Sequence, residues 1–346
     1  MRYLLILLFA FISSTTTHAE DTLFYSRVEE VTFDTIPYMV RDEYFIKAYN
    51  ELSLMFDGEK SYSLKRAEFL VEWAYLGGRN DYGAFCHDID SIVGILRRFI
   101  EANEVGQYKT APNFALFEYF TKSSPMNGNK AFTYDFDDFT GIDDFSKLFV
   151  TKVMKTHTGQ CTSLPLYYKI LCDELGGQSS LALAPMHMYV KHIGEDGKWV
   201  NIELTNGHFV RDEWMIQTMN VSTEAIRNGI FLTALSEKEN IGLMLILLAK
   251  AYKQKYGGWD FFTLKCANKV LEKCSHFCDA LVVKYNIHQS FGISYIQKYG
   301  YTISDFKLWN DKNFIETLEL LDKLGYSQQS QEEYKRSVEK AINGEK

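Results

Sequence analysis

The stretch Thr158-Gly159-Gln160-Cys161-Thr162-Ser163-Leu164-Pro165 places a cysteine at the start of a helix. Proline is tolerated inside a helix only in the first turn, whose N–H groups have no intrahelical acceptor. Pro165 therefore sets the helix start near Cys161, and the apolar pattern carries the helix from Thr162 to Leu175, where Gly176-Gly177 stops it. A thiol at that end faces the positive pole of the helix dipole, an environment that favours thiolate. Gly159 lets the chain turn sharply and approach its neighbours closely.

The residues downstream change character. Ser180 to His192 is one extended run of alternating apolar residues, Gly194-Glu195-Asp196-Gly197 is a turn signal, and Trp199 to Leu204 is a second strand. A helix followed by antiparallel strands is an α+β pattern. The first run carries His187 and the second Glu203, 16 positions apart. An odd-numbered loop centred near Glu195 sets the two opposite each other on one face, whereas a two-residue Asp196-Gly197 loop offsets them. Cys161, His187 and Glu203 supply the three groups of thiol catalysis: nucleophile, base and orienter. Trp199 and Asn201 share strand parity with Glu203 and are candidates to line a cleft. Gln160 and the backbone N–H of Cys161 are candidate donors to an oxyanion. His157, His192 and His208 are rival bases. His192 has the opposite parity to His187, His157 precedes the nucleophile and His208 follows the acid, so each reads as a surface or loop residue.

Gly159-x-Cys161 at a helix start, His187 on a strand, and then Trp199 and Glu203-x-Thr205 on the next strand resemble the transglutaminase-like superfamily. The resemblance spans Gly159 to Thr205 and implies a papain-like core with a Cys161–His187–Glu203 triad. It implies a peptide or protein substrate attacked at an amide bond through a Cys161 thioester, with neither cofactor nor metal. Hydrolysis is favoured over acyl transfer because the chain has no calcium-loop motif. Three positions depart from the pattern: Glu203 stands where Asp is usual, Thr162 where an aromatic often follows the cysteine, and Met188-Tyr189 where a small residue then an aromatic is common. These departures also fit a catalytically silent member of the superfamily that serves as a peptide- or protein-binding scaffold.

The rest of the 346 residues divides around this core. Residues 1–19 have the form of a signal peptide, with Arg2, an apolar run from Leu4 to Ile12, and Thr17-His18-Ala19 as the cleavage site. No cysteine follows that run to take a lipid. A periplasmic or secreted protein without a membrane span after cleavage is expected. Residues 20–155 form a mainly helical region behind an extended lead-in. Phe45, Ala48, Tyr49, Leu52, Leu54 and Met55 mark a first apolar face. Ser63 caps a second helix ending at Gly77-Gly78, and Ile89, Ile92, Ile95 and Leu96 mark a third. Residues 102–150 read as loops with one or two short helices. The core occupies 156–236.

From 237 to 346 the chain is helical again. Leu248 and Tyr252 recur 33 positions on as Leu281 and Tyr285, which resembles a degenerate tetratricopeptide array, with a plain helical bundle as the alternative. These helices are expected to shape access to the cleft and to offer a surface for a protein partner. Cys274 and Cys278 bracket His276 at i and i+4 of a helical pattern, without a second ligand pair, and so read as packing residues and not as a metal site. The formal net charge of −8 argues against nucleic acid as a partner.

Overall fold

The computed structural model describes residues 42–326. The expected signal peptide and extended lead-in lie outside the described residues. The fold is α+β and mostly helical. No helix of the described residues is long and apolar enough to cross a membrane.

Four helices come first: α1 (Glu43–Asp57), α2 (Leu64–Tyr75), α3 (Tyr82–Ala102) and α4 (Ala111–Thr121). Their starts follow from local chemistry. The side chains of Asp42, Ser63 and Asp81 accept from the first-turn N–H groups of α1, α2 and α3. Strand β1 (Thr133–Tyr134) and helix α5 (Val150–Thr156) lead to β2 (Thr158–Gly159) and α6 (Ser163–Glu174). Strands β3 (Ser180–Ala184), β4 (His187–Ile193), β5 (Trp199–Glu203) and β6 (His208–Val210) form one antiparallel sheet in sequential order. Short helices α7 (Asp212–Thr218) and α8 (Thr223–Arg227) precede α9 (Glu237–Tyr256), α10 (Phe261–Leu271), α11 (Cys278–Tyr299) and α12 (Asp305–Lys323).

Two details of the sheet differ from the sequence reading. The run Ser180 to His192 is a tight hairpin and not one strand: Ala184 pairs with His187 across Pro185-Met186. Proline presets the first turn position and Met186 takes a left-handed φ of 54° at the second. The β4–β5 loop is odd-numbered, as one alternative required, but Ile193 pairs with Trp199 and Lys191 with Asn201, which centres it on Asp196. His187 and Glu203 are therefore diagonal neighbours on one face and not directly opposite. Cys274 and Cys278 also do not share a helix; Cys274 lies in the α10–α11 turn and Cys278 opens α11. All six cysteines are free.

One apolar core runs through all these elements. Helix α6 packs on β3 and β4, and α9 packs on α1, α2 and α10. The recurrent Leu248/Tyr252 and Leu281/Tyr285 fall on α9 and α11, the first members of the contacting pairs α9–α10 and α11–α12.

Helix α2 buries two carboxyls one turn apart, Glu68 and Glu72. Glu72 accepts from the backbone N–H of Thr151 at 3.0 Å and from its hydroxyl at 2.5 Å, which holds the start of α5. Burial and the neighbouring Glu72 carboxylate push Glu68 well above its ordinary 4.5, and burial, set against the Thr151 and Val150 bonds, leaves Glu72 pushed up to about 7. A carboxyl raised in the folded state contributes stability that is full below 4.5 and is lost as pH rises through its folded value. Unfolding free energy should thus decline from pH 4.5 through about 7 and beyond. In Glu68→Gln the share due to Glu68 should vanish while that of Glu72 persists. Urea melts at several pH values in this range test it; parallel slopes for the two proteins would remove the argument.

Candidate active site

The approach to Cys161 is held rigidly from both sides. Thr133 and Tyr134 pair in parallel with Thr158 and Gly159, and Asp135 donates its N–H to the Gly159 carbonyl at 2.8 Å. Lys152 reaches the Thr158 carbonyl at 3.0 Å and ion-pairs with Asp135. A Cβ on Gly159 would lie 2.8 Å from Val153 and 2.9 Å from both Leu164 and Ser163. The glycine is required by close approach, since its φ is not among the left-handed ones. Leu164 donates to the Gln160 carbonyl at 3.1 Å, so α6 winds up directly beyond the cysteine and Pro165 sits in its first turn.

The cysteine side chain is 7% exposed. Its thiol lies 3.9 Å from the Met186 carbonyl, and the sulfur favours the protonated form of the His187 imidazole. The turn Pro185-Met186 thus delivers both the imidazole and a carbonyl to the sulfur. Nε2 of His187 lies 2.5 Å from Oε2 of Glu203. The other carboxylate oxygen of Glu203 accepts from the backbone N–H of Thr205 at 2.9 Å and from its hydroxyl at 2.6 Å. Every member of this chain is buried, and both oxygens of the acid are satisfied. Thr205 belongs to the Glu-x-Thr phrase, and its role is to hold the orienter.

The charges reinforce one another. Burial alone would pull His187 down, but the Glu203 carboxylate and the Cys161 sulfur outweigh it and push the imidazolium up to about 10. Burial alone would raise Glu203, yet the His187 charge and the Thr205 bonds bring it below its ordinary value.

The structure brings together Cys161, His187 and Glu203 and separates them from the other sequence candidates. Trp199 is 51% exposed and stands outside the cavity beside Cys161, its ring under Lys191. Asn201 bonds the Val210 carbonyl and Asp212, tying β5 to β6 and α7 and not to the cleft. Gln160 is fully buried; its Oε1 accepts from Ser163, and its Nε2 has no hydrogen-bond partner. Of the rival histidines, His157 caps α5 at a left-handed φ of 56° and stacks on Phe132. His192 is buried against the Ile193 carbonyl, and His208 is exposed on β6.

Cys161 and His187 open onto a cavity of about 360 Å³. Its walls come from three distant stretches: Phe139–Leu148, the β3–β4 hairpin with the Cys161 turn, and helices α9 and α11 with Trp259 between α9 and α10. Phe231 and Tyr326 complete it. Gln254 fastens the first wall to the third, donating to the Asp143 carbonyl at 2.7 Å while accepting from the Tyr75 hydroxyl. Sequence reasoning placed no individual residue of 139–148, 231–286 or 326 at the cleft, because nothing in their own segments marks them as neighbours of a cysteine up to 165 positions away. No group of three His, Cys, Asp or Glu side chains among the described residues is placed to hold a metal ion.

No family model, no curated protein and no solved structure matches this chain.

Proposed function

We propose that the protein is an exported thiol enzyme with a transglutaminase-like, papain-like core, acting on amide bonds of a peptide or protein through a Cys161 thioester. The observation that carries this reading is the buried Cys161–His187–Glu203 cluster at the wall of a cavity. Nucleophile and base share that wall and the base is hydrogen-bonded to its orienter, which supplies the three groups acyl transfer requires.

The steps follow from the geometry. The proton of the Cys161 thiol passes to His187, and the imidazolium is held by Glu203. The thiolate attacks the carbonyl carbon, and the oxyanion forms beside the Cys161 backbone N–H. On collapse the C–N bond breaks, the acyl group stays on sulfur, and His187 returns the proton to the departing amine. Water, activated by the same imidazole, then hydrolyses the thioester; an amine in its place would give transfer.

The comparison with partly exposed cysteines tests the nucleophile. Cys86 and Cys274 are both more accessible than Cys161. With iodoacetamide at neutral pH, Cys161 should nevertheless be alkylated at least about tenfold faster than either, by peptide mapping, and His187→Ala should abolish the difference. Equal rates at the three cysteines would favour the silent scaffold over the enzyme.

A further inference from the structure

The cavity wall grades in polarity along one helix. Leu243, Leu247, Lys250 and Gln254 follow the three-and-four spacing of a single α9 face, with Lys253 at its edge. From Leu243 to Lys253 is about 15 Å at the helical rise. Leu183 and Val283 also line the cavity, and the cations come from the C-terminal half of the helix.

The charges of this wall do not cancel. Lys250 pairs with Asp279 at 3.5 Å, and among the described residues Asp279 is the only carboxylate in the lining. Lys253 has no carboxylate within ion-pair reach among the described residues; its ammonium lies over the Trp259 ring, 5.8 Å from the centroid. His187 is matched by Glu203. The cavity therefore presents one uncompensated cation, in a chain whose formal net charge is −8. A cation at the wall of a partly covered cavity interacts with an anion more strongly than the same cation in bulk water.

We propose that the cavity selects an acyl donor carrying an apolar side group together with an anionic group that Lys253 receives, Trp259 holding the ammonium in place. Lys253 is then the specificity-determining residue of the Cys161 reaction. The inference rests on the proposed nucleophile, and its test separates the two.

The probes are bromoacetyl-phenylalanine and bromoacetyl-phenylalanyl-alanine, each beside its C-terminal amide, which is neutral but otherwise identical. Alkylation of Cys161 is followed by mass spectrometry and normalised to the reaction of each probe with a free thiol. Wild type should saturate and should prefer the carboxylate of at least one pair by roughly fivefold. The preference should vanish in Lys253→Gln, invert in Lys253→Glu and weaken with added salt, while iodoacetamide still alkylates Cys161 faster than Cys86 in all three proteins. A preference that survives in Lys253→Gln, or a fast Cys161 that discriminates within neither pair, overturns the assignment of Lys253 and leaves the nucleophile standing. A Cys161 that reacts with iodoacetamide no faster than Cys86 removes the nucleophile and the assignment together.

Discussion

Glu203→Gln should reduce turnover at Cys161 by about two to four orders of magnitude while leaving the fold in place. The substitution is isosteric, so one side-chain oxygen can keep its bonds from Thr205. What it removes is the charge that offsets burial at His187. With that charge gone, burial should pull the imidazole down from about 10, towards and below its ordinary 6.5. Two measurements separate this from simple damage. In wild type, ring resonances of His187 should titrate near pH 10, and the alkaline limb of the rate should fall there, as the imidazolium that protonates the leaving amine is lost. In the variant both should move to lower pH. The stability signs agree with this picture. A raised His187 contributes stability that is full below 6.5 and is lost as pH rises through about 10. A lowered Glu203 contributes stability present above 4.5 and lost as pH falls through its folded value. The pair thus stabilises fully between pH 4.5 and 6.5 and progressively less towards 10. A His187 resonance that titrates at the same pH in both proteins would refute the coupling.

The parts of this site written in local sequence were legible, and the parts made by tertiary contact were not. Gly159, Cys161 and Pro165 declare a tight entry and a helix start within seven residues, and α6 begins and ends where those residues and Gly176 dictate. Strand parity put His187 and Glu203 on one face. Their register depended on a loop whose centre the turn signal left open by one residue, and the structure resolves it to a diagonal pair. The hairpin at Pro185-Met186 escaped because Met186 takes a left-handed conformation that neither glycine nor asparagine announces. Trp199 and Asn201 have the right parity, but the hairpin twists their end of β5 away from the cysteine, one to solvent and the other to α7. Glu68 and Glu72, four positions apart on an amphipathic helix, have the spacing of a solvated face. Only the arrival of α5 buries them. The cavity is the extreme case, since its walls join residues from 139 to 326.

Truncation after Ser236 should abolish cooperative folding altogether, because α9 is an interior helix and not an addition to a finished core. Residues 241–249 are buried without interruption, so this stretch of the helix is apolar all round, the mark of a segment enclosed by others. Its neighbours include α1, α2, α10 and α11. Phe45 packs edge-on against Tyr252 at 5.2 Å, and Gly242 leaves room for Phe56 and Val270, to which an added Cβ would come within 3.4 Å and 3.1 Å. Burying each leucine or isoleucine is worth about 1.5–3 kcal/mol. Leu243, Leu245, Ile246 and Leu248 together then contribute about 6–12 kcal/mol, which is the size of the whole net stability of a typical domain. Without them α1 and α2 would expose a continuous apolar face and aggregate. The milder Leu248→Ala should cost about 2–5 kcal/mol by urea melt and should leave Cys161 reactive below the transition, since Leu248 is not among the residues that line the cavity. A chain ending at Ser236 that stays soluble, melts in a single transition and is alkylated at Cys161 as fast as the full protein would show that the nucleophile is organised without α9.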